Sequence, residues 1–286
     1  MMLTADELRQ IRRLQVQAGR RVDSLVAGEY RSAFKGSGME FEDVRPYSPG
    51  DDVRRIDWNV TARTGEAFLK TFREERELTL LVVLDVSGSV RFGSGGRDGR
   101  TDKRLQMARV AGGLAYAALR SGDRVGLLTF TDRVEHYVPP RKSRGHGWQV
   151  IRAAFEASGQ DRATDLGAAL QFVAGVLKRR AVVVLLSDFI APHPFREPLG
   201  ALTRRHRVHA LLFHDPREHN LPGVGLVTLV DAETGATQVV NAGSLVARAR
   251  VADRLTDLRR AGVRASAVGT DDDAFMKLLQ HFRAAG

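Results

Sequence analysis

Asp85, Ser87 and Ser89 follow one another at alternate positions in the run Leu78-Thr-Leu-Leu-Val-Val-Leu-Asp-Val-Ser-Gly-Ser89. A carboxylate and two hydroxyls at that spacing are hard oxygen donors, the kind that Mg2+ gathers into a near-octahedral shell that readily keeps water. A second run, Ala181-Val-Val-Val-Leu-Leu-Ser-Asp-Phe189, ends in the carboxylate of Asp188, and Thr164 lies between the two runs. These five residues supply only hydroxyl and carboxylate oxygens, whereas zinc favours nitrogen or sulfur. Mg2+ is therefore the expected cofactor, with Mn2+ second. Taken alone, the D-x-S-x-S triplet also suits an ordinary turn after a strand, because Asp and Ser hydrogen-bond their own backbone there.

Certain elements must carry these residues to one place. Leu78 to Leu84 shows no polar alternation and predicts a central strand of a parallel sheet covered on both faces. Residues 181–187 repeat that pattern. In such sheets ligands collect beyond the carboxyl ends of the strands, where Asp85 and Asp188 stand. Thr164 opens a helical pattern of Leu166, Leu170, Val173 and Leu177, which puts it on a loop leading into a helix. The spacing further predicts helices near 102–121, 146–158, 164–179, 194–205, 243–261 and 272–284. It predicts strands at 124–130, 207–213 and 263–268, an edge strand at 134–138 and a strand pair within 226–240. This alternation argues a doubly wound, mostly parallel α/β sheet. Ahead of it, Thr4 and Glu7 form a capping box and Leu3 with Leu8 a hydrophobic staple for an amphipathic N-terminal helix.

The order D-x-S-x-S, then Thr, then Asp resembles the metal-ion-dependent adhesion site of von Willebrand factor type A domains. That resemblance implies that Asp85, Ser87, Ser89 and Thr164 coordinate directly or through water. Asp188 would hold a coordinated water, and an open position would await an acidic residue of a partner. The upstream run Arg45 to Trp58, R-x-Y-x-x-G-D-x-x-R-x-I-D-W, resembles the signature of domain-of-unknown-function family 58, whose members join such a segment to a von Willebrand A-type domain. The implied organisation is an N-terminal helix and signature segment over 1–77 and the A-type domain over 78–286. The same resemblance implies a MoxR-type AAA+ ATPase as partner, in maturing or remodelling a client protein that presents the acidic residue. It implies no enzymatic reaction.

Composition limits the other readings. Forty-four Lys and Arg against thirty-four Asp and Glu give a formal charge of +10. The bases are scattered in pairs and triplets such as Lys178-Arg179-Arg180 and Arg259-Arg260, near predicted helix ends where they complement the dipole. With aromatic content of only 7% and no stacking motif, no specific nucleic-acid partner is expected. Binding nucleic acid through the basic surface would instead show steep salt dependence and no need of a divalent ion. A Mg-dependent phosphohydrolase with Asp85 as nucleophile is the enzymatic alternative, but Ser87 stands where a D-x-D-x-T pattern needs its second acid. The sequence has no cysteine, hence no disulfide framework or thiolate chemistry. With no signal-like stretch and no run approaching the roughly 20 apolar residues of a span, a cytoplasmic protein without membrane attachment is expected.

Other polar groups read as structural. Segment 36–74 alternates acids and bases around Phe41, Tyr47, Ile56 and Trp58. It is expected to form short strands whose aromatics pack on the sheet domain while the charges pair. Ser94 to Thr101 only approximates a phosphate-binding loop and lies too far beyond its strand. Asp271-Asp272-Asp273 is expected to cap a helix. His206, His209, His214 and His219 match no zinc template, and surface or capping roles are expected for them.

Overall fold

The computed structural model describes residues 39–74, 77–91, 102–159, 163–191, 193–218, 225–230, 236–241 and 251–283. The expected N-terminal helix, the 94–101 loop and His219 lie outside these residues.

Six strands form the main sheet: β3 (Thr79–Asp85), β4 (Arg124–Phe130), β5 (Val134–Arg141), β6 (Val182–Ser187), β7 (Arg207–His214) and β10 (Arg264–Gly269). Their spatial order is β10-β7-β6-β3-β4-β5, parallel throughout except for the antiparallel edge strand β5. The chain thus winds outward from β3 through β4 to β5, then returns to lay β6 on the other flank of β3. That reversal makes the carboxyl ends of β3 and β6 the topological switch point, where a crevice opens in doubly wound sheets. The expected fold class is therefore observed.

The unbroken apolar runs have a direct structural cause. Alternate side chains of β3 enter two separate cores: Leu80, Val82 and Leu84 face one, Leu81 and Val83 the other. The first core is closed by α2 (Lys103–Ser121), α3 (Arg144–Glu156) and α7 (Ala274–Arg283), the second by α4 (Leu166–Val176), α5 (Arg196–Arg205) and α6 (Val251–Arg260). Asp102 caps α2 by accepting from Leu105 N, and Gly122 ends it in the left-handed conformation at φ 75°. Asp165, not Thr164, caps α4, accepting from Ala168 N at 2.9 Å. Asp273 caps α7 as expected, accepting from Phe275 and Met276 N–H.

The remaining strands pair apart from this sheet. β1 (Met39–Pro46) and β2 (Phe68–Glu74) form an antiparallel pair with an irregularity between Phe41 and Asp43, and β8 (Leu226–Val230) pairs antiparallel with β9 (Thr237–Asn241). Between β1 and β2 the signature run folds as a 3-10 turn at Val53–Arg55 followed by α1 (Trp58–Thr64). Its acids serve the backbone: Asp52 accepts from Arg54 N, and Asp57 caps α1 through Asn59 and Val60 N–H. Asp51 accepts both guanidinium arms of Arg45, at 2.8 and 2.6 Å, which lowers its carboxyl below the ordinary range.

Three expectations need correction. The strands of segment 39–74 are not short, because β1 and β2 satisfy each other's backbone along their length. Trp58 does not pack on the sheet domain; it is 69% exposed on the first turn of α1. β5 runs past 138 to Arg141 despite Pro139 and Pro140, which an edge strand tolerates because its outer N–H groups need no ladder partner.

The histidines also depart from a surface role. β7 is an interior strand, so His209 is buried against His281 of α7, with Nδ1 2.9 Å from His281 Nε2; Ser266 Oγ holds His281 Nδ1 at 2.7 Å. His206 is buried as well, accepting from Ala181 N through Nδ1. Burial, then the charge of its neighbours His281, Arg264 and Arg207, pushes His209 down to about 3, and burial with Arg264 pushes His281 down to about 4. Both rings are neutral in the fold and ordinary, near 6.5, when unfolded. Stability from this pair is complete above about pH 6.5 and is lost as pH falls towards about 3, because over that range the unfolded chain takes up the protons first. Urea midpoints should decline over that window in the native chain. The double substitution His209→Leu, His281→Leu should flatten the decline.

Candidate metal centre

The ends of β3 and β6 lie side by side, and the loops leaving them carry four of the five expected residues. Asp85 closes β3, fully buried, and its Oδ1 accepts from Ser87 N at 2.9 Å. That contact is an Asx turn, which folds the chain back so that the Ser87 and Ser89 hydroxyls lie 3.2 Å apart at the start of the 3-10 turn Gly88–Arg91. Asp188 follows β6 directly and is also fully buried. Its Oδ1 accepts from Ile190 N at 3.0 Å and its Oδ2 from Lys103 Nζ at 2.8 Å.

Thr164 reaches the same end of the sheet from the β4 side. Asp165 N donates to Thr131 O just past β4, and Val86 N donates to Phe130 O, so the two loops run over adjoining strand ends. Thr164 itself is completely buried. Nearby, Gly159 passes so close to the β3 loop that a Cβ there would stand 1.9 Å from Val86 O, a collision with backbone.

Two carboxylates in one buried place interact strongly. The Asp85 carboxyl is pushed up to about 7, first by desolvation and then by the negative charge of Asp188, against the pull of hydrogen bonds from Ser187 and Ser87. A divalent cation would relieve that repulsion. Among the described residues no group of three or more His, Asp or Glu could hold a metal ion, so a cation here depends on hydroxyl ligands. The donor chemistry fits Mg2+ or Mn2+: carboxylate at Asp85, hydroxyls at Ser87, Ser89 and Thr164. Both oxygens of Asp188, like both of Asp85, accept protein hydrogen bonds and keep lone pairs for a further partner.

Several supporting residues escape the sequence reading. Ser187 donates to Asp85 Oδ2 at 2.6 Å and accepts from Phe189 N at 2.9 Å, thereby tying the two carboxylate-bearing loops together. Phe189 takes the left-handed region at φ 54°, unusual for an aromatic residue, and this sharp turn lets the chain after Asp188 double back. Arg254 of α6 donates to the Asp188 carbonyl at 2.6 Å. Lys103, the first residue of α2, is 1% exposed and bridges Asp188 to Glu218 of the 3-10 turn Pro216–Glu218. Burial alone would depress its ammonium, but Asp188 and Glu218 overcome this and hold it above the ordinary value. A cation at a helix start opposes the helix dipole, and that local mismatch was the one sequence signal for it. Breaking a buried pair on one side costs about 3–5 kcal/mol, a large share of the roughly 5–15 kcal/mol by which a domain is stable.

Residues 43–261 match the family described as "Protein of unknown function DUF58". The chain belongs to the DUF58 family. This DUF58 chain is 33% identical over 230 residues to uncharacterized protein Rv1480 of Mycobacterium tuberculosis, a match covering 80% of this chain and 71% of the relative. It is 36% identical over 127 residues to uncharacterized protein MAV169 of Mycobacterium avium, covering 42% of this chain and 75% of that one. Among solved structures it is similar to conserved hypothetical protein BatB from Bacteroides thetaiotaomicron, at 13% identity and a TM-score of 0.47, over 73% of this chain and 98% of BatB. It also has a likeness to proximal thread matrix protein 1 of the mussel byssus, solved with a zinc-occupied MIDAS motif, at 13% identity and a TM-score of 0.36, over 48% of this chain and 38% of that one. In the DUF58 chain, no described helix is long and apolar enough to cross a membrane.

The Ser187 bridge gives a direct test of how the site is held. Ser187→Ala removes a donor from a buried carboxylate and should cost about 1–3 kcal/mol of stability. Urea unfolding of the two proteins under identical conditions reads that difference.

Proposed function

We propose that this chain is a metal-dependent protein-interaction module. Mg2+, or Mn2+ in its place, binds through Asp85, Ser87, Ser89 and Thr164, with Asp188 holding a coordinated water. The ion completes its shell with a carboxylate presented by a partner and acts as an adhesive, without catalysing a reaction. The observation that carries this reading is the buried Asp85–Asp188 pair at the switch point, with the Ser87 and Ser89 hydroxyls 3.2 Å apart just beyond Asp85. Neutral hydroxyls leave a divalent ion short of negative charge, and that shortfall is what an outside acidic group would fill. The chain's formal charge of +10 favours encounter with an acidic partner, more so at low salt.

The partner best suited to the reading is a MoxR-type AAA+ ATPase, acting with this chain to mature or remodel a client protein. Support comes from the signature run Arg45 to Trp58 and the ordered D-x-S-x-S, Thr, Asp residues, which resemble chains that accompany such ATPases. Pulldown of the cognate ATPase by the full chain should require Mg2+ and vanish with chelator. Asp85→Ala should abolish that capture while circular dichroism stays native. Capture that persists in chelator and falls steeply with salt would instead favour charge-driven binding without a metal.

A further inference from the structure

Lys103 is a buried ammonium beside a site that the proposed function assigns to a divalent cation. It reaches Asp188 Oδ2 across eighty-five positions of sequence and holds Glu218 as well. Glu218 is fixed for this contact: Asp215, itself fully buried, accepts from Arg217 N through its side chain and from Glu218 N through its carbonyl, and Thr270 Oγ1 holds its other carboxylate oxygen. The second oxygen of Glu218, Oε2, is buried and accepts no hydrogen bond from the described residues. The network is thus built to place one positive charge against Asp188, with a second carboxylate steadying that charge from behind.

This arrangement sets the electrostatics that an incoming ion meets. Lys103 offsets part of the charge of Asp188, so an ion there meets less net negative charge than two free carboxylates would present. A positive charge next to a cation site lowers affinity, because the two cations repel in a medium that screens less than water. We propose that Lys103 is a built-in counter-ion that weakens divalent-metal binding at the Asp85 site, so that firm retention of the metal depends on the carboxylate of a bound partner. This rests on the metal-dependent reading above. In functional terms, the ion stays exchangeable on the free chain and is trapped in the complex.

Calorimetric titration of Mn2+ into the full chain at fixed ionic strength tests the idea, with Lys103→Met, Glu218→Gln and Asp85→Ala run beside the native protein. Lys103→Met removes the repelling charge and should tighten Mn2+ binding by about tenfold or more. Glu218→Gln leaves the ammonium less compensated and should weaken binding. Thermal melts with and without Mn2+ give a readout independent of partner capture, and the ion should raise the melting temperature most in Lys103→Met. If Lys103→Met does not fold, Glu218→Gln decides: weaker binding supports the proposal, and unchanged or tighter binding overturns it. Native binding that Asp85→Ala abolishes, with Lys103→Met unchanged or weaker, overturns the counter-ion role and leaves the metal site standing. Absence of binding in every variant overturns both, whereas binding confined to Lys103→Met supports the counter-ion role in its strongest form.

Discussion

Two carboxylates, Asp85 and Asp188, are buried together where neighbouring strands end, and the surrounding structure is organised around that repulsion. An isolated charge in an apolar interior is intolerable without partners. Here the partners are specific: Ser87 N and Ser187 Oγ for Asp85, Ile190 N and Lys103 for Asp188. The sheet makes the crowding unavoidable, since β3 and β6 are adjacent and parallel and both terminate at the same level. The apolar runs that bury both faces of these strands are therefore also what removes water from the acids.

The architecture was readable because its signals are strong and local. Leu80 to Leu84 and Val182 to Leu186 lack alternation because both sheet faces are covered. The helices α2, α4 and α7 begin where Asp102, Asp165 and Asp273 offer side-chain acceptors. Asp85, Ser87, Ser89, Thr164 and Asp188 were all visible as oxygen donors near strand or helix ends, and the structure brings them to the same edge of the sheet.

What stayed hidden depends on long-range pairing. No window of sequence contains both Lys103 and Glu218, or Ser187 and Asp85, and the chemistry of each pair exists only after the sheet forms. His209 looked like a surface histidine because polarity was read without the strand's position in the sheet. In an interior strand, alternate residues have nowhere to go but inward, and His281 supplies the polar contact that makes this tolerable. Trp58 erred in the opposite direction: aromatic character suggested burial, whereas the cap at Asp57 fixes the start of α1 with Trp58 facing outward.

The oxygen donors of the candidate centre come from three stretches that the ribosome produces far apart in time, with Asp188 emerging about a hundred residues after Asp85. At residue speeds of roughly 5–20 per second, several seconds separate them. During that interval Asp85 has neither Ser187 to hold it nor Asp188 beside it. A nascent chain that ends before β6 consequently lacks the Asp85–Ser187–Asp188 arrangement, which forms only once β6 has docked on β3.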